Sequence, residues 1–265
     1  MNILVCVKQV PDTTEIRIDP VKNTLIRDGV PSIVNPFDGY ALEAAARIKD
    51  KAPETKIVVV TMGPPQAAAA LKECLAIAAD KAYLVSARSF GGSDTLATSY
   101  ILSNAVKKIE TLEGKFDAIF CGKQAIDGDT AQVGPQIAEQ LNIPQITYVQ
   151  KLDIEGDKVI VQRQLEDGYT VVEAKMPVLL TAIKELNTPR YMTPKGIFEA
   201  YNKTVQVWGF NDVPVDAEKI GLKGSPTNVN RTFSPEAKGK GIMLEGADKE
   251  TVKTLIAKLD EKHLL

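Results

Sequence analysis

A chain of 265 residues can bury one large core or a core with an appendage. Its 32 Lys and Arg against 34 Asp and Glu leave a formal charge of -2, without the basic bias of proteins that grip phosphate backbones, so no nucleic acid partner is expected. No apolar run approaches the ~20 residues of a membrane span, so no membrane span is expected either. The opening MNILVCVKQV is apolar until Lys8 and Gln9 interrupt it, with no charged leader or cleavage site, and reads as a first strand rather than a targeting signal.

Ile3–Lys8, Lys56–Met62, Ala82–Ser86, Asp117–Cys121 and Pro177–Ile183 are rich in Val, Ile and Leu without strict alternation, as strands buried on both faces are. Between them, amphipathic stretches at Phe37–Lys51, Pro65–Ala79, Asp94–Leu112 and Thr130–Leu141 can each cross over and set the next strand parallel to the last. The pattern predicts an α/β, doubly wound, mainly parallel sheet. Two insertions alternate in β fashion around turn residues, Glu15–Arg27 and Lys151–Glu173, and predict β-hairpins. After Ile183 the composition turns to Pro, Gly, Asn and Lys, and only Asp248–Leu264 regains helical spacing. Residues 1–194 are therefore read as an α/β nucleotide-binding domain and 195–265 as an arm that lies on a partner chain.

Three cysteines (Cys6, Cys74, Cys121) without a CxxC, and a single histidine in the tail, His263, supply neither a disulfide framework nor a zinc site. Buried thiols in a reducing cytoplasm are expected. No nucleophile sits beside a base in the sequence, so the chain is not expected to be catalytic alone.

Chemistry concentrates in FDAIFCGKQAIDGDTAQVGPQIAEQL, Phe116 to Leu141, where a buried strand ends at Cys121-Gly122 and a loop feeds a helix expected to begin near Asp129-Thr130. Open parallel sheets bind ligands at that edge, and the free N–H groups of a first helical turn with a Thr hydroxyl can hold a phosphate; equally, Asp129 or Thr130 simply caps a helix. Asn35-Pro36-Phe37-Asp38 offers either capping or contacts to a ribose or purine. Met62-Gly63 lies on the same rim. Arg88-Ser89-Phe90-Gly91-Gly92-Ser93-Asp94-Thr95 reads as a backbone phosphate cradle or a capped Gly turn; it is similar to a loop of ATP pyrophosphatases, although that loop normally follows the first strand. A nucleotide-binding sensor and a pyrophosphatase-like enzyme remain alternatives at this point.

CVKQVPDT at 6–13, NPFDGYALEAAARIKD at 35–50, TMGPPQ at 61–66, GKQAIDGDTAQVGPQIAEQL at 122–141 and LNTPRY at 186–191 together resemble the β subunit of an electron-transfer flavoprotein, nearly end to end. The resemblance implies an α-subunit partner covering the arm after about residue 195, and a nucleotide site lined by Cys6, Asn35, Pro36, Phe37, Asp38, Met62 and Gly63. It extends that site through Gly122, Lys123, Gln124, Ala125, Ile126, Asp127, Gly128, Asp129, Thr130, Ala131, Gln132 and Val133. Leu186, Asn187, Pro189, Arg190 and Tyr191 match the segment with which family members dock a flavin dehydrogenase of the acyl-CoA dehydrogenase type, Leu186 being the apolar anchor.

Ordinary members of that family hold AMP in the β site. Bifurcating members hold FAD there, take hydride from NADH, and send electrons separately to ferredoxin or flavodoxin and to a second FAD on the α subunit. VPDTTEIRIDP, VSARSFGGSDTLATSY and DGDTAQVGP resemble the bifurcating group, with Gly128 where ordinary members usually carry Asp. In that group Phe90, Gly91, Gly92, Asp94 and Thr95 join the cofactor site. The small residues Gly63, Ala87, Gly91, Gly92 and Ser93 are expected to leave room for an isoalloxazine.

Overall fold

The computed structural model describes residues 1–12, 31–230, 239 and 241–265, and divides into two compact units, Met1–Val229 and Asn230–Leu265. The hairpin expected over Glu15–Arg27 lies outside the described residues.

In the first unit, β1 (Asn2–Cys6) leads to a small antiparallel pair, β2 (Gln9–Pro11) with β3 (Ser32–Val34), and then to α1 (Pro36–Lys51). β4 (Lys56–Met62), α2 (Ala68–Ile77), β5 (Lys81–Val85), α3 (Thr95–Glu113), β6 (Ala118–Gly122) and α4 (Val133–Leu141) continue the predicted alternation. β7 (Gln145–Glu155), β8 (Lys158–Gln164) and β9 (Tyr169–Lys175) follow, then β10 (Val178–Ala182), α5 (Pro194–Asn202) and β11 (Val205–Trp208). One sheet runs β11-β5-β4-β1-β6-β10-β7-β8-β9; every pair from β11 to β7 is parallel, and β8 and β9 extend it antiparallel. The expected hairpin at Lys151–Glu173 is thus part of a three-stranded meander. Its first strand begins at Gln145, earlier than the composition suggested, and reaches β10 before turning to pair with β8.

Alternate residues of the central strands feed two cores. Ile3, Val5, Ile57 and Val59 pack with α1 and α2 residues such as Leu42, Leu71 and Leu75. Leu4, Val58, Val60 and Ile119 pack on the other face with Ile101, Val106 and Ile109 of α3 and Ile137 of α4. Burial on both faces is why these strands read as unbroken apolar runs.

The boundary expected after residue 194 falls inside the first unit. Helix α5 packs on α2 through reciprocal lysine caps: Lys72 Nζ donates to the carbonyls of Ala200 (2.7 Å) and Lys203 (2.6 Å), while Lys203 Nζ donates to that of Ala79 (2.8 Å). Gly196 faces α2 so closely that a Cβ there would lie 2.2 Å from the Ala76 carbonyl oxygen. β11 then adds an edge strand to β5, with the rings of Trp208 and Tyr83 in tilted contact at 4.8 Å between centroids. Within residues 195–229, Pro and Gly mark short connections between packed elements. In the second unit, α6 (Lys249–Glu261) is capped by Asp248, whose side chain accepts from Thr251 N.

Leu180, fully buried on central β10, tests the core. Leu180→Ala is expected to lower unfolding free energy by about 2–5 kcal/mol in chemical denaturation, the range for a buried Leu→Ala cavity.

Candidate functional site

Strands β1 and β6 are neighbours; the connection out of β1 runs through α1 toward β4 and that out of β6 runs through α4 the opposite way, toward β7 beyond β10, which makes their C-terminal edge the topological switch point where open α/β sheets form a ligand crevice. The N-terminus of α1 closes one side of it. That close approach depends on Gly122, at the end of β6: a Cβ there would lie 2.3 Å from Asp38 Oδ1 and 2.7 Å from the backbone carbon of Phe37. Asp38 accepts from Gly122 N at 3.0 Å with Oδ1 and from Lys8 N at 2.7 Å with Oδ2, so one carboxylate ties the exits of β1 and β6 together. Burial pushes the Asp38 pKa up to about 7, held back by hydrogen bonds from Asn35, Lys8 and Gly122 and by the Lys8 charge.

Asn35 precedes α1 but its side chain does not cap the helix. It reaches the loop after β6, where Nδ2 donates to the Gln124 carbonyl (2.8 Å) and Oδ1 accepts from Ile126 N (3.2 Å). Asn35 and Asp38 are both buried, and their polar atoms bond the backbone just after β1, at the end of β6 and in the loop after β6. Pro36 occupies the first turn of α1, and Phe37 packs edge-on to Tyr40.

The loop from Lys123 to Gln132 is held at its start and open beyond. Lys123 N donates to the Ala182 carbonyl, Lys8 Nζ pairs with Asp127 at 2.6 Å, Gln124 Nε2 donates to Asp129 at 2.7 Å, and the Ala125 carbonyl accepts from Gly128 N and Asp129 N. Ile126, Gly128, Asp129, Thr130 and Gln132 are exposed. Asp129 and Ala131 have φ of 53°, left-handed backbone that a helix cannot include, and α4 therefore starts at Val133 instead of near Thr130. Its N-cap, Gln132, makes no side-chain capping bond. A Cβ at Gly128 would meet nothing within 4 Å, so this glycine is not required by the packing of the chain.

Cys6, the last residue of β1, and Cys121, next to the last of β6, are buried in the second core, Met62 packs partly buried against it, and Gly63 N donates to the Val85 carbonyl. The next rim loop is arranged differently from expectation. Phe90 is a core residue. Beside Gly92, whose φ is 77°, a Cβ would lie 2.7 Å from Leu222, so the space expected for a ring beside Gly92 contains a side chain of the same protein, while beside Gly91 a Cβ would meet the Arg88 carbonyl oxygen at 3.3 Å. Ser93 Oγ accepts from Gly221 N, Asp94 N donates to Ser225 Oγ, and the Asp94 carboxylate caps α3 at Ala97 N while accepting from Thr227 N. Thr95 reaches toward the crevice, donating to Gln132 Oε1 at 3.3 Å.

The segment Leu186–Tyr191 lies along α1. Leu186 is half-buried against the first core, whereas Tyr191 is 94% exposed, which makes Tyr191 the large side chain it presents. Asn187 Nδ2 donates to the Tyr40 carbonyl, and Arg190 pairs with Glu43 and Asp50. Burial opposes ionisation of Glu43, yet hydrogen bonds from Arg190 and Arg47 hold its pKa below the ordinary value; the Arg190 bonds do the same for Asp50. Glu43, Lys8 and the Gly221–Thr227 segment escaped the sequence reading. An acid inside the alanine run LEAAAR was the signal for Glu43; nothing local marks the other two.

No helix among the described residues is long and apolar enough to cross a membrane, and none of their His, Cys, Asp and Glu side chains form a group of three placed to hold a metal ion. Residues 22–213 match the family model described as the electron transfer flavoprotein domain. The chain is 57% identical, over 100% of both chains, to the electron transfer flavoprotein subunit beta of Thermoanaerobacterium thermosaccharolyticum. It is 54% identical, again over 100% of both, to the caffeyl-CoA reductase-Etf complex subunit CarD of Acetobacterium woodii. Against the acryloyl-CoA reductase electron transfer subunit gamma of Anaerotignum propionicum the identity is 49%, over 100% of both chains.

Two measurements probe the frame of this crevice. Gly122→Ala is expected to cost about 1–3 kcal/mol or more through overpacking against α1, and Gly128→Ala to stay within about 0.5 kcal/mol of the parent, by chemical denaturation. For Asp38, the folded pKa lies above the unfolded one, so the native state binds the extra proton between pH ~4 and ~7; stability is fully present below that window and falls as pH rises through it, by up to about 1.4 kcal/mol per unit. The stability difference between parent and Asp38→Asn is expected to shift against the parent across that window and to level off above it.

Proposed function

Because the chain belongs to the electron transfer flavoprotein family as a β subunit, and so serves an electron-transfer complex beside an α subunit, we propose that its crevice binds FAD and that the complex bifurcates electrons. When bound, FAD supplies hydride uptake from NADH and electron delivery along two routes, to ferredoxin or flavodoxin and to a second FAD on the α subunit. An acyl-CoA dehydrogenase-type flavoenzyme would be the partner on the α-subunit route.

The observation that carries the reading is the open loop at the switch point, leading into the uncapped first turn of α4. The N–H groups of Val133 and Gly134 and the exposed Thr130 hydroxyl are suited to a diphosphate. A helix terminus contributes about 0.3–1 kcal/mol to an exposed anion and up to ~2 when partly buried. Asp127 and Asp129 would repel a phosphate; their pairing with Lys8 and Gln124 turns them toward protein donors and leaves further acceptor capacity for ribose or ribityl hydroxyls. Asn35, Asp38 and Gly122 keep loop and strand ends in register, and Cys6, Met62 and Gly63 form the floor and margin.

The names of the caffeyl-CoA and acryloyl-CoA reductase relatives support an acyl-CoA flavoenzyme as partner. Segment 186–191 is proposed to dock it, with Tyr191 outward, and residues 195–265 to contribute to the α-subunit interface. Buried, unpaired thiols at Cys6, Cys74 and Cys121 accord with a cytoplasmic setting.

A second reading, a non-bifurcating carrier with AMP in the same site, draws support from Leu222: AMP needs no space beside Gly92, whereas an isoalloxazine placed there requires Leu222 to move. Denaturing the purified αβ complex and counting released nucleotides separates the two. Two FAD per heterodimer without AMP is the expected result; one FAD with one AMP would select the carrier. Gly128→Val and Thr130→Ala are each expected to reduce β-site nucleotide content, and full retention by both would remove the diphosphate from this loop.

A further inference from the structure

We infer that Arg190 is a positioning residue that locks the proposed docking segment to α1 and thereby sets the direction of Tyr191; the inference rests on the docking role proposed above. Arg190 makes contacts along one face of the helix. Its backbone N (3.2 Å) and Nε (2.8 Å) donate to Glu43 Oε2, Nη2 reaches Glu43 Oε1 at 3.2 Å, and Nη1 and Nη2 reach the two oxygens of Asp50 at 3.2 and 2.6 Å. The neighbouring residues are held as well, Asn187 by the Tyr40 carbonyl (2.9 Å) and the Thr188 carbonyl by Arg47 Nη2 (3.3 Å).

The distribution of burial makes this a directing device rather than a surface ion pair. The Glu43 side chain is only 4% exposed, and a carboxylate so placed is tolerable only with its donors in position; Arg47 Nε supplies another at 2.8 Å. A planar guanidinium that meets two carboxylates fixes orientation as well as distance, which a lysine cannot do. The clamp ends at Arg190, and the next side chain, Tyr191, is 94% exposed with no packing of its own to fix it. Removing the fork frees the main chain immediately before the residue that must meet a partner. Ordering that segment in advance lowers the entropy lost on docking.

The test uses the αβ complex with a short-chain acyl-CoA dehydrogenase as the probe partner, together with backbone hydrogen exchange. In Arg190→Lys and Arg190→Gln, exchange at Asn187–Met192 is expected to accelerate and the KM for the dehydrogenase to rise about tenfold, with kcat within about twofold and flavin content unchanged. Asp50→Asn removes only the outer carboxylate, leaves Glu43 covered, and is expected to give a smaller change in the same direction. Tyr191→Ala, which leaves the clamp intact, separates docking from positioning. A raised KM in Tyr191→Ala with an unchanged KM in every Arg190 and Asp50 variant would overturn the positioning role while leaving docking in place. An unchanged KM in all of them would overturn docking by this segment, and the positioning role with it. Loss of flavin in the Arg190 variants without a change in KM would also overturn the proposal.

Discussion

The crevice depends on one close approach, that of the α1 N-terminus to the end of β6 at Gly122. With no Cβ at that position, the carboxylate of Asp38 comes within hydrogen-bonding distance of Gly122 N and Lys8 N, backbone donors at the exits of two adjacent parallel strands. A buried carboxylate is a costly way to satisfy two N–H groups, and its raised pKa reflects that cost. What the arrangement secures is geometry: β1 and β6 leave the sheet in fixed register, and Asn35, one turn earlier, fixes the loop that follows β6.

The same helix serves the segment at 187–190. Its first turn frames the crevice, while Glu43, Arg47 and Asp50 further along hold that segment. A 16-residue helix packed on a parallel sheet is stiff enough to keep the two regions at a constant separation.

The stretch beyond residue 195 shows how composition misleads when packing is non-local. Pro, Gly, Asn and Lys are frequent in it, yet Lys72 and Lys203 cap each other's helices, β11 extends the sheet, and Gly221 to Thr227 covers the Gly-Gly-Ser-Asp loop. The flexible residues there allow close contact between backbones. At Gly196, Gly221 and Gly224 a Cβ would lie between 2.0 and 2.4 Å from another backbone atom.

The sequence by itself determined the parallel α/β architecture, because strands buried on both faces and amphipathic crossovers leave a periodicity in composition. It also pointed to the C-terminal strand edge at GKQAIDGD, which begins where a buried strand stops, and its resemblance to an electron-transfer flavoprotein β subunit agrees with the family match. Only the tertiary structure decided what the polar residues of that edge do. Asn35 bonds a loop about ninety positions away, Gly122 makes room for a helix, α4 waits for the left-handed Asp129 and Ala131 to pass, and Leu222 occupies the space beside Gly92. Each depends on atoms brought together from distant parts of the chain, and no local spacing or propensity encodes such a distance.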